Sequence, residues 1–253
     1  MSASTSPVLP RAPRRRLLGD DPGRLGLLFV VPALALVIVF RIVPLIWGFG
    51  TSLTDYDGMS AARFVGIANY AALTRDPVFL DSIVNMLILL ATLPVWIGLP
   101  MLLAILIHQG VPGGKLFRAV YFFPAVLSSV IVGAIFNMLL RYDGSFNAML
   151  KALGFSAVDW LGNSSTALFS LIAVQLWATF GMSLLIFLAG LSTVPSDMLE
   201  AAKLDGAGLF GTWWHIVIPS IRPIIEFAAV VTTIGMLTSM FGLIYVLTAG
   251  GPG

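Results

Sequence analysis

The chain alternates between long apolar runs and polar connections, and five runs stand out: 25–53, 83–107, 119–140, 167–191 and 223–247. A helix rises 1.5 Å per residue and the hydrocarbon core of a bilayer is about 30 Å thick, so roughly 20 apolar residues cross it. Each run meets that length and predicts a membrane-spanning helix. Pro32, Pro44, Pro94, Pro100 and Pro124 fall inside these runs. They would break soluble helices but are tolerated where neighbouring helices satisfy the freed backbone groups. The polar connection 192–222 carries helical signals of its own. Pro195, Ser196 and Asp197 are a helix start, with proline in the first turn and an acid near the positive dipole end. Glu200, Ala201 and Ala202 continue as good helix formers, and Gly206 and Gly208 stop them. Phe210–Ile218 then predicts a second short helix that Pro219 ends. Such a pair cannot build a core of its own, so its exposed face is predicted to meet another protein.

Two other polar segments have a readable pattern. Phe146, Met149, Leu150 and Leu153 follow the i, i+3, i+4, i+7 spacing of a helix, with Gly154 as its cap, which predicts a short helix at the outer interface. Residues 1–24 are rich in Ser, Pro and Arg and predict a disordered cytoplasmic tail. A secretory or twin-arginine signal competes for this stretch, with Ala33-Leu34-Ala35 as its nominal cleavage site. Asp20 and Asp21 interrupt the approach, however, and the apolar run far outlasts a signal core, so an uncleaved first span is the better reading. No internal repeat or soluble domain separates out, and 25–253 is read as one transmembrane domain.

Composition agrees, with 58% hydrophobic residues, 10% charged residues and a mean hydropathy of +0.97. There is no cysteine, hence no disulfide framework or thiolate metal site. The net charge of +2 is too small to suggest nucleic acid, and the placement of the charges matters more. With the N-terminus inside, the inner segments carry Arg11, Arg14, Arg15, Arg16, Arg24, Lys115, Arg118, Lys203 and Arg222. The outer loops carry only Arg63, Arg75, Arg141 and Lys151, beside six aspartates. This positive-inside bias puts the 192–222 connection in the cytoplasm.

Little enzymatic chemistry is present. Gly110–Leu116 superficially resembles a phosphate-binding loop, but it is one residue short and has Leu116 where Ser or Thr would bind magnesium. A membrane turn explains it better. His108 and His215 lie on separate cytoplasmic-side loops, and no catalytic triad or metal cluster can be built from them. Asn163-Ser164-Ser165 matches a glycosylation acceptor, a pattern common by chance. Three spans carry small or polar stripes at helical spacing: Ser129, Gly133 and Asn137; Gln175, Thr179 and Ser183; Thr232, Gly235, Ser239 and Gly242. Close helix packing is the ready explanation for the glycines and serines. An amide facing lipid is costly, so Asn137 and Gln175 are expected to line a polar pathway, with Thr179, Ser183 and Ser239 as further candidates. Glu226 sits in the first turn of its span, where the helix dipole holds it. Arg41 lies near the middle of the first span, where an arginine costs roughly 2.5–3.5 kcal/mol on the insertion scale unless it snorkels, pairs or faces protein.

Glu200-Ala201-Ala202, three residues, Gly206, nine residues and Ile216-Val217-Ile218-Pro219 form a spacing that resembles the EAA loop of bacterial ABC-importer permeases. The family prefers Leu before the proline, so Ile218 departs mildly. Asp205-Gly206-Ala207 is most similar to the carbohydrate-type branch, which handles sugars, oligosaccharides and related polyols. Phe64–Tyr70 with Phe79 and Asn85, then Gly114, Phe117–Ala119 and Pro124, and finally Tyr245–Pro252 are similar to weaker motifs of the same permeases. The resemblance implies an all-α polytopic membrane protein, the transmembrane domain of a type I importer, with five spans here and a sixth expected after Gly253. A truncated or incompletely represented permease is therefore expected.

The resemblance makes 192–222 a coupling loop that docks into an ATPase through Glu200, Ala201, Ala202, Asp205, Gly206, Ala207 and Pro219. It implies a second homologous permease, two cytoplasmic ATPase subunits and an extracytoplasmic substrate-binding protein, in a bacterial cytoplasmic membrane. This chain would be non-catalytic and bind no cofactor, with ATP and Mg used by the partner subunits. A permease for another small polar solute, a self-sufficient secondary transporter and a membrane-embedded enzyme are the alternatives. The last two lack the paired midplane charges or intramembrane acid and histidine clusters they need.

Overall fold

The computed structural model describes residues 22–110 and 113–251. The arginine cluster at 11–16 and the ends of the Gly110–Leu116 and Tyr245–Pro252 motifs at 111–112 and 252 lie outside them. The chain divides into two compact units, Met1–Leu80 and Asp81–Gly253.

In the first unit, α1 (Pro22–Val37) runs through one π turn (Ile38–Ile42) into α2 (Val43–Ser52). The stretch Phe29–Ser52 is long and apolar enough to cross a membrane, and none of its most apolar window is buried. The π turn has a local cause in Pro44, near the start of α2, whose ring would otherwise press on the carbonyl four residues back. Arg41 lies in that turn, exposed and without an ion pair among the described residues. The loop that follows is tied back to the end of α2. Thr54 and Phe64 form an antiparallel bridge, and Arg63 Nε lies 3.3 Å from Asp55 Oδ2. On α3 (Ala68–Leu73), Asn69 Nδ2 donates to the Ser52 and Thr54 carbonyls at 2.9 and 2.7 Å, and the Tyr70 hydroxyl lies 2.7 Å from Ser52 Oγ. In the loop, Asp57 Oδ1 accepts from the Met59 and Ser60 amides and the Ser60 hydroxyl.

The next apolar stretch comprises α4 (Pro77–Ala91) and α5 (Leu93–His108), longer at both ends than the expected 83–107. The joint is Thr92, whose hydroxyl donates to the Leu89 carbonyl at 2.6 Å and accepts from Trp96 Nε1 at 3.0 Å. The second unit continues with α6 (Gly114–Phe122), a 3₁₀ turn (Phe123–Val126), α7 (Ser129–Leu140), α8 (Ser145–Ala152) and α9 (Ser164–Leu191). Then come α10 (Ser196–Leu204), α11 (Leu209–Thr212), a π turn (Trp213–Val217), α12 (Ile218–Ser220), α13 (Arg222–Thr238) and α14 (Phe241–Thr248).

The unit is built around α9, which packs against α5, α6, α7, α13 and α14. Its N-terminal half joins a core with Trp96, Val132, Leu171, Val174, Leu243 and Leu247, and its C-terminal half joins another with Ala104, Leu184, Phe187, Leu191, Val217 and Ile221. Where backbones must meet, α9 carries glycine. A Cβ on Gly181 would sit on the Tyr121 carbonyl oxygen and 2.6 Å from Phe122 Cα.

Two of the expected spans are not straight. The run 119–140 breaks at Leu127–Ser128, and the segments on either side meet at 99°. Pro124 sits in the 3₁₀ turn, and Ser128 adopts extended backbone and caps α7 by accepting from the Val130 amide. The run 223–247 is divided at Ser239–Met240, and its first part, α13, meets the preceding Phe210–Ser220 segment at 69°. Among the described residues, three helical stretches are therefore long and apolar enough to span, or up to five if each bent pair counts as one.

Candidate functional site

The connection 192–222 folds as two short helices around a glycine turn. Pro195, with extended backbone, is the N-cap of α10, and Asp197 stands in its first turn. Gly206 has φ +75°, and the helix closes in a Schellman pattern, with the Gly206 amide donating to the Lys203 carbonyl at 3.1 Å and the Ala207 amide to the Ala202 carbonyl at 2.9 Å. A Cβ added to Gly206 would meet nothing within 4 Å, so the glycine is required by its left-handed backbone and not by crowding.

Pro219 does not end the second helix as expected, for the helix continues to Ser220 with Ile221 as its C-cap. The π turn Trp213–Val217 widens the ladder just ahead of Pro219, which lets the proline ride in it.

One face of this pair is anchored. Val217 and Ile221 are part of the second of these cores with Leu188 and Leu191 of α9, Leu199 and Trp213 pack against it, and Ala202 is buried. The opposite face is open. Glu200, Ala201, Lys203, Asp205 and Ala207 are exposed, as are Met198 and Leu204. Phe210 and Trp214, 79% and 59% exposed, stack with ring centroids 6.1 Å apart. The Glu200 carboxylate makes no ion pair among the described residues. Arg222 and Glu226, in the first turns of α13, pair at 2.7 Å. His215 Nδ1 lies 3.1 Å from the Gly211 carbonyl, and no group of His, Asp and Glu among the described residues could hold a metal.

The stripes within the spans separate into two kinds. On α7, Ser129, Gly133 and Asn137 all face α14. Ser129 Oγ lies 3.3 Å from where a Gly242 Cβ would be, a Gly133 Cβ would touch Val246 at 3.1 Å, and Asn137 Nδ2 donates to the Leu247 carbonyl at 2.8 Å. On α9, Gln175 is only 8% exposed, and its side-chain amide makes no hydrogen bond among the described residues. Thr179, one turn on, donates to the Gln175 carbonyl, and Ser183 is half-buried on the same face. Ser239 is exposed at the α13–α14 break, 3.4 Å from the Thr238 hydroxyl, and no hydrogen bond joins it to the other four.

The sequence reading missed Asn147. It is 1% exposed on α8, where its amide donates to the Tyr142 and Val158 carbonyls, and its oxygen accepts from the Val158 amide and Trp160 Nε1. The signal was available, since Asn147 is a polar residue beside the Phe146–Leu153 apolar stripe. This staple holds the 141–160 loop beside the ends of α7 and α14. There a cleft of about 550 Å³ opens, with Asn137, Arg141, Tyr142, Asp143, Asp159 and Thr248 in its walls.

A bundle with broken spans, a seam of small and polar residues between α7 and α14 and a helical pair open on one side suits a polytopic transport subunit. The family described as "Binding-protein-dependent transport system inner membrane component" matches residues 65–253, and the chain belongs to this family. It is a multi-pass inner-membrane permease subunit of an ABC importer. The chain is 32% identical over 233 residues to the trehalose/maltose transport system permease protein MalF of Thermococcus litoralis, an alignment covering 91% of this chain and 79% of the relative. It is 36% identical over 231 residues to the multiple sugar-binding transport system permease protein MsmF of Streptococcus mutans, covering 90% and 79%. A crystal structure of a bacterial alginate ABC transporter, in complex with alginate pentasaccharide-bound periplasmic protein, superposes with a TM-score of 0.77 at 25% identity, covering 91% of this chain and 79% of that one.

Proposed function

We propose that this chain forms one half of the translocation pathway of an ATP-driven importer for sugars or related polyols, and that the 192–222 loop transmits the ATPase cycle to it. The observation that carries this is the two-faced loop, with Leu199, Ala202, Val217 and Ile221 turned into the protein and Glu200, Leu204, Phe210 and Trp214 turned out. An exposed apolar and aromatic face rimmed by charge is what a protein partner buries. The positive-inside bias puts that face, and the N-terminus, in the cytoplasm. Sugars as cargo follow from the relatives named for sugar transport.

The complete importer then needs a second homologous permease, two cytoplasmic ATPase subunits that use ATP and Mg, and an external substrate-binding protein. This chain supplies no catalytic group and holds no cofactor. Gln175 and Asn137, with Thr179, Ser183 and Ser239, are its pathway candidates. No buried side-chain nitrogen or oxygen lacks a partner among the described residues, so the unbonded Gln175 amide reaches open space, where a passing polar solute or water can meet it.

The test is to purify the tagged chain from its native membrane, identify what accompanies it, and measure uptake of neutral oligosaccharides in proteoliposomes. Retention of an ATPase and ATP-dependent sugar uptake are expected. Sugar uptake with no ATPase bound would sink this reading.

A further inference from the structure

We infer that the cleft between the outer ends of α7 and α14 is a saccharide-binding site of its own, one that receives neutral sugar at the mouth of the permease before the midspan pathway. This rests on the sugar-importer reading above. Its walls combine groups that recognise hydroxyls: the Asn137 amide, the Arg141 guanidinium, the Asp143 and Asp159 carboxylates and the Thr248 hydroxyl. Leu140 and Leu247, both buried, supply an apolar floor, and the exposed Tyr142 ring stands at the rim. Planar polar groups with two hydrogen-bonding atoms, set beside apolar and aromatic surface, match a pyranose, which carries hydroxyls around its edge and C–H groups on its faces.

The walls are built and not merely adjacent. Asn137 spends one N–H on the Leu247 carbonyl, which leaves its oxygen accepting nothing among the described residues. Asp159 Oδ1 accepts from the Gly162 amide at 2.9 Å, and a Cβ on Gly162 would stand 2.6 Å from the other carboxylate oxygen. Arg141 Nε lies 3.4 Å from Asp143 Oδ1, which leaves the rest of its guanidinium to the cleft. Lys151 Nζ is 5.7 Å from the Tyr142 ring centroid. Asn147 fixes the backbone of 141–142 from behind.

The charge balance sets the class of sugar. Two carboxylates face one guanidinium, with Lys151 at the rim, so there is no surplus of positive charge to hold a chain of uronates. Neutral oligosaccharides fit.

The assembled importer in nanodiscs, without nucleotide or binding protein, is probed by saturation-transfer NMR with maltotetraose, trehalose and di-N-acetylchitobiose, and with tetragalacturonate as the acidic counterpart. At least one neutral sugar is expected to show transfer, and Arg141→Gln with Tyr142→Ala, or Asp159→Asn, should weaken that binding by about tenfold, the loss of one or two hydrogen bonds. Glu226→Gln, on α13 and outside the cleft, should leave it unchanged. Transfer that survives the cleft variants but disappears in Gln175→Leu places the sugar in midspan and overturns the proposal, as does equal or stronger binding of tetragalacturonate. Uptake with the binding protein present separates the two levels. Sugar uptake without any transfer sinks the cleft alone, and absence of sugar uptake sinks the importer reading on which it rests.

Discussion

At the scale of single residues, the proposed docking role of the 192–222 loop rests on one backbone angle and one unpaired carboxylate. Gly206 at φ +75° has open space where a Cβ would go, so substitution there strains the turn without a clash. Alanine should cost about 1 kcal/mol in the loop, and valine more, since a β-branched residue tolerates the left-handed region worst. Glu200 is exposed and does nothing for the isolated fold, so Glu200→Ala should leave membrane levels unchanged. Both Gly206→Val and Glu200→Ala are expected to reduce ATPase-subunit retention and transport-linked hydrolysis in purified complexes. Full coupling in both would mean that the docking element is elsewhere.

A second residue-scale expectation concerns Asp57. The Ser60 amide first, then the Met59 amide and the Ser60 hydroxyl, stabilise its charged form and lower its pKa from the ordinary 3.8 to about 2. A lowered carboxyl pKa stabilises the folded loop above 3.8 and loses that contribution as pH falls through about 2. The Ser60 amide resonance should therefore titrate with a midpoint near 2, and a midpoint near 3.8 would show that the turn is not closed.

At the scale of helices, glycine marks three contacts of different hardness. A Gly181 Cβ would meet the backbone of Tyr121 and Phe122, a Gly133 Cβ would touch the branch of Val246 at 3.1 Å, and a Gly190 Cβ would meet Ile224 at both its tip, 2.8 Å, and its Cγ2 branch, 3.0 Å. Alanine gains about 1 kcal/mol of helix propensity at each site, against which overpacking costs typically 1–3 kcal/mol. Backbone cannot step aside and a side-chain tip can. Gly181→Ala should therefore destabilise most, and Gly133→Ala and Gly190→Ala, which meet side chains, less, as read by thermal unfolding in detergent. Equal effects at all three would mean that α9 has room to shift against α6. The two broken spans belong to this scale as well. Pro124 and the Ser128 cap bend the third at 99°, and freed backbone inside a membrane is tolerated only where protein covers it or a water-filled cavity lies beside it.

At the scale of the molecule, one post organises the second unit. The α9 helix carries both cores and Gln175 and leads straight into the 192–222 loop, so under the proposed function a movement of that loop would reach the span directly. Gln175→Leu should lower sugar uptake while leaving subunit assembly and basal ATPase activity intact. Asn137→Leu should do more, because it also removes the bond to the Leu247 carbonyl, a loss of about 1 kcal/mol in the α7–α14 seam. Loss of assembly in Gln175→Leu would make that residue a packing element.

The sequence by itself determined the parts whose cause is local. Five apolar runs, the helix start at Pro195–Asp197, the glycine stop at Gly206 and the capped outer helix at Ser145–Ala152 each rest on hydropathy or on one residue's backbone preference, and each is present in the structure. What tertiary structure alone decided is whatever depends on a neighbour distant in the chain. Apolar length says that a run can cross a membrane but not that it stays straight, so the breaks at Leu127–Ser128 and Ser239–Met240 had no clear hydropathy signature. A stripe such as Ser129, Gly133 and Asn137 reads the same whether it faces a pathway or a helix, and only the arrival of Gly242, Val246 and Leu247 shows it to be a seam. The cleft beside α7 and α14 was invisible for the same reason. Its walls come from 137–143, 159–162 and 246–249, segments far apart in sequence that only packing brings together.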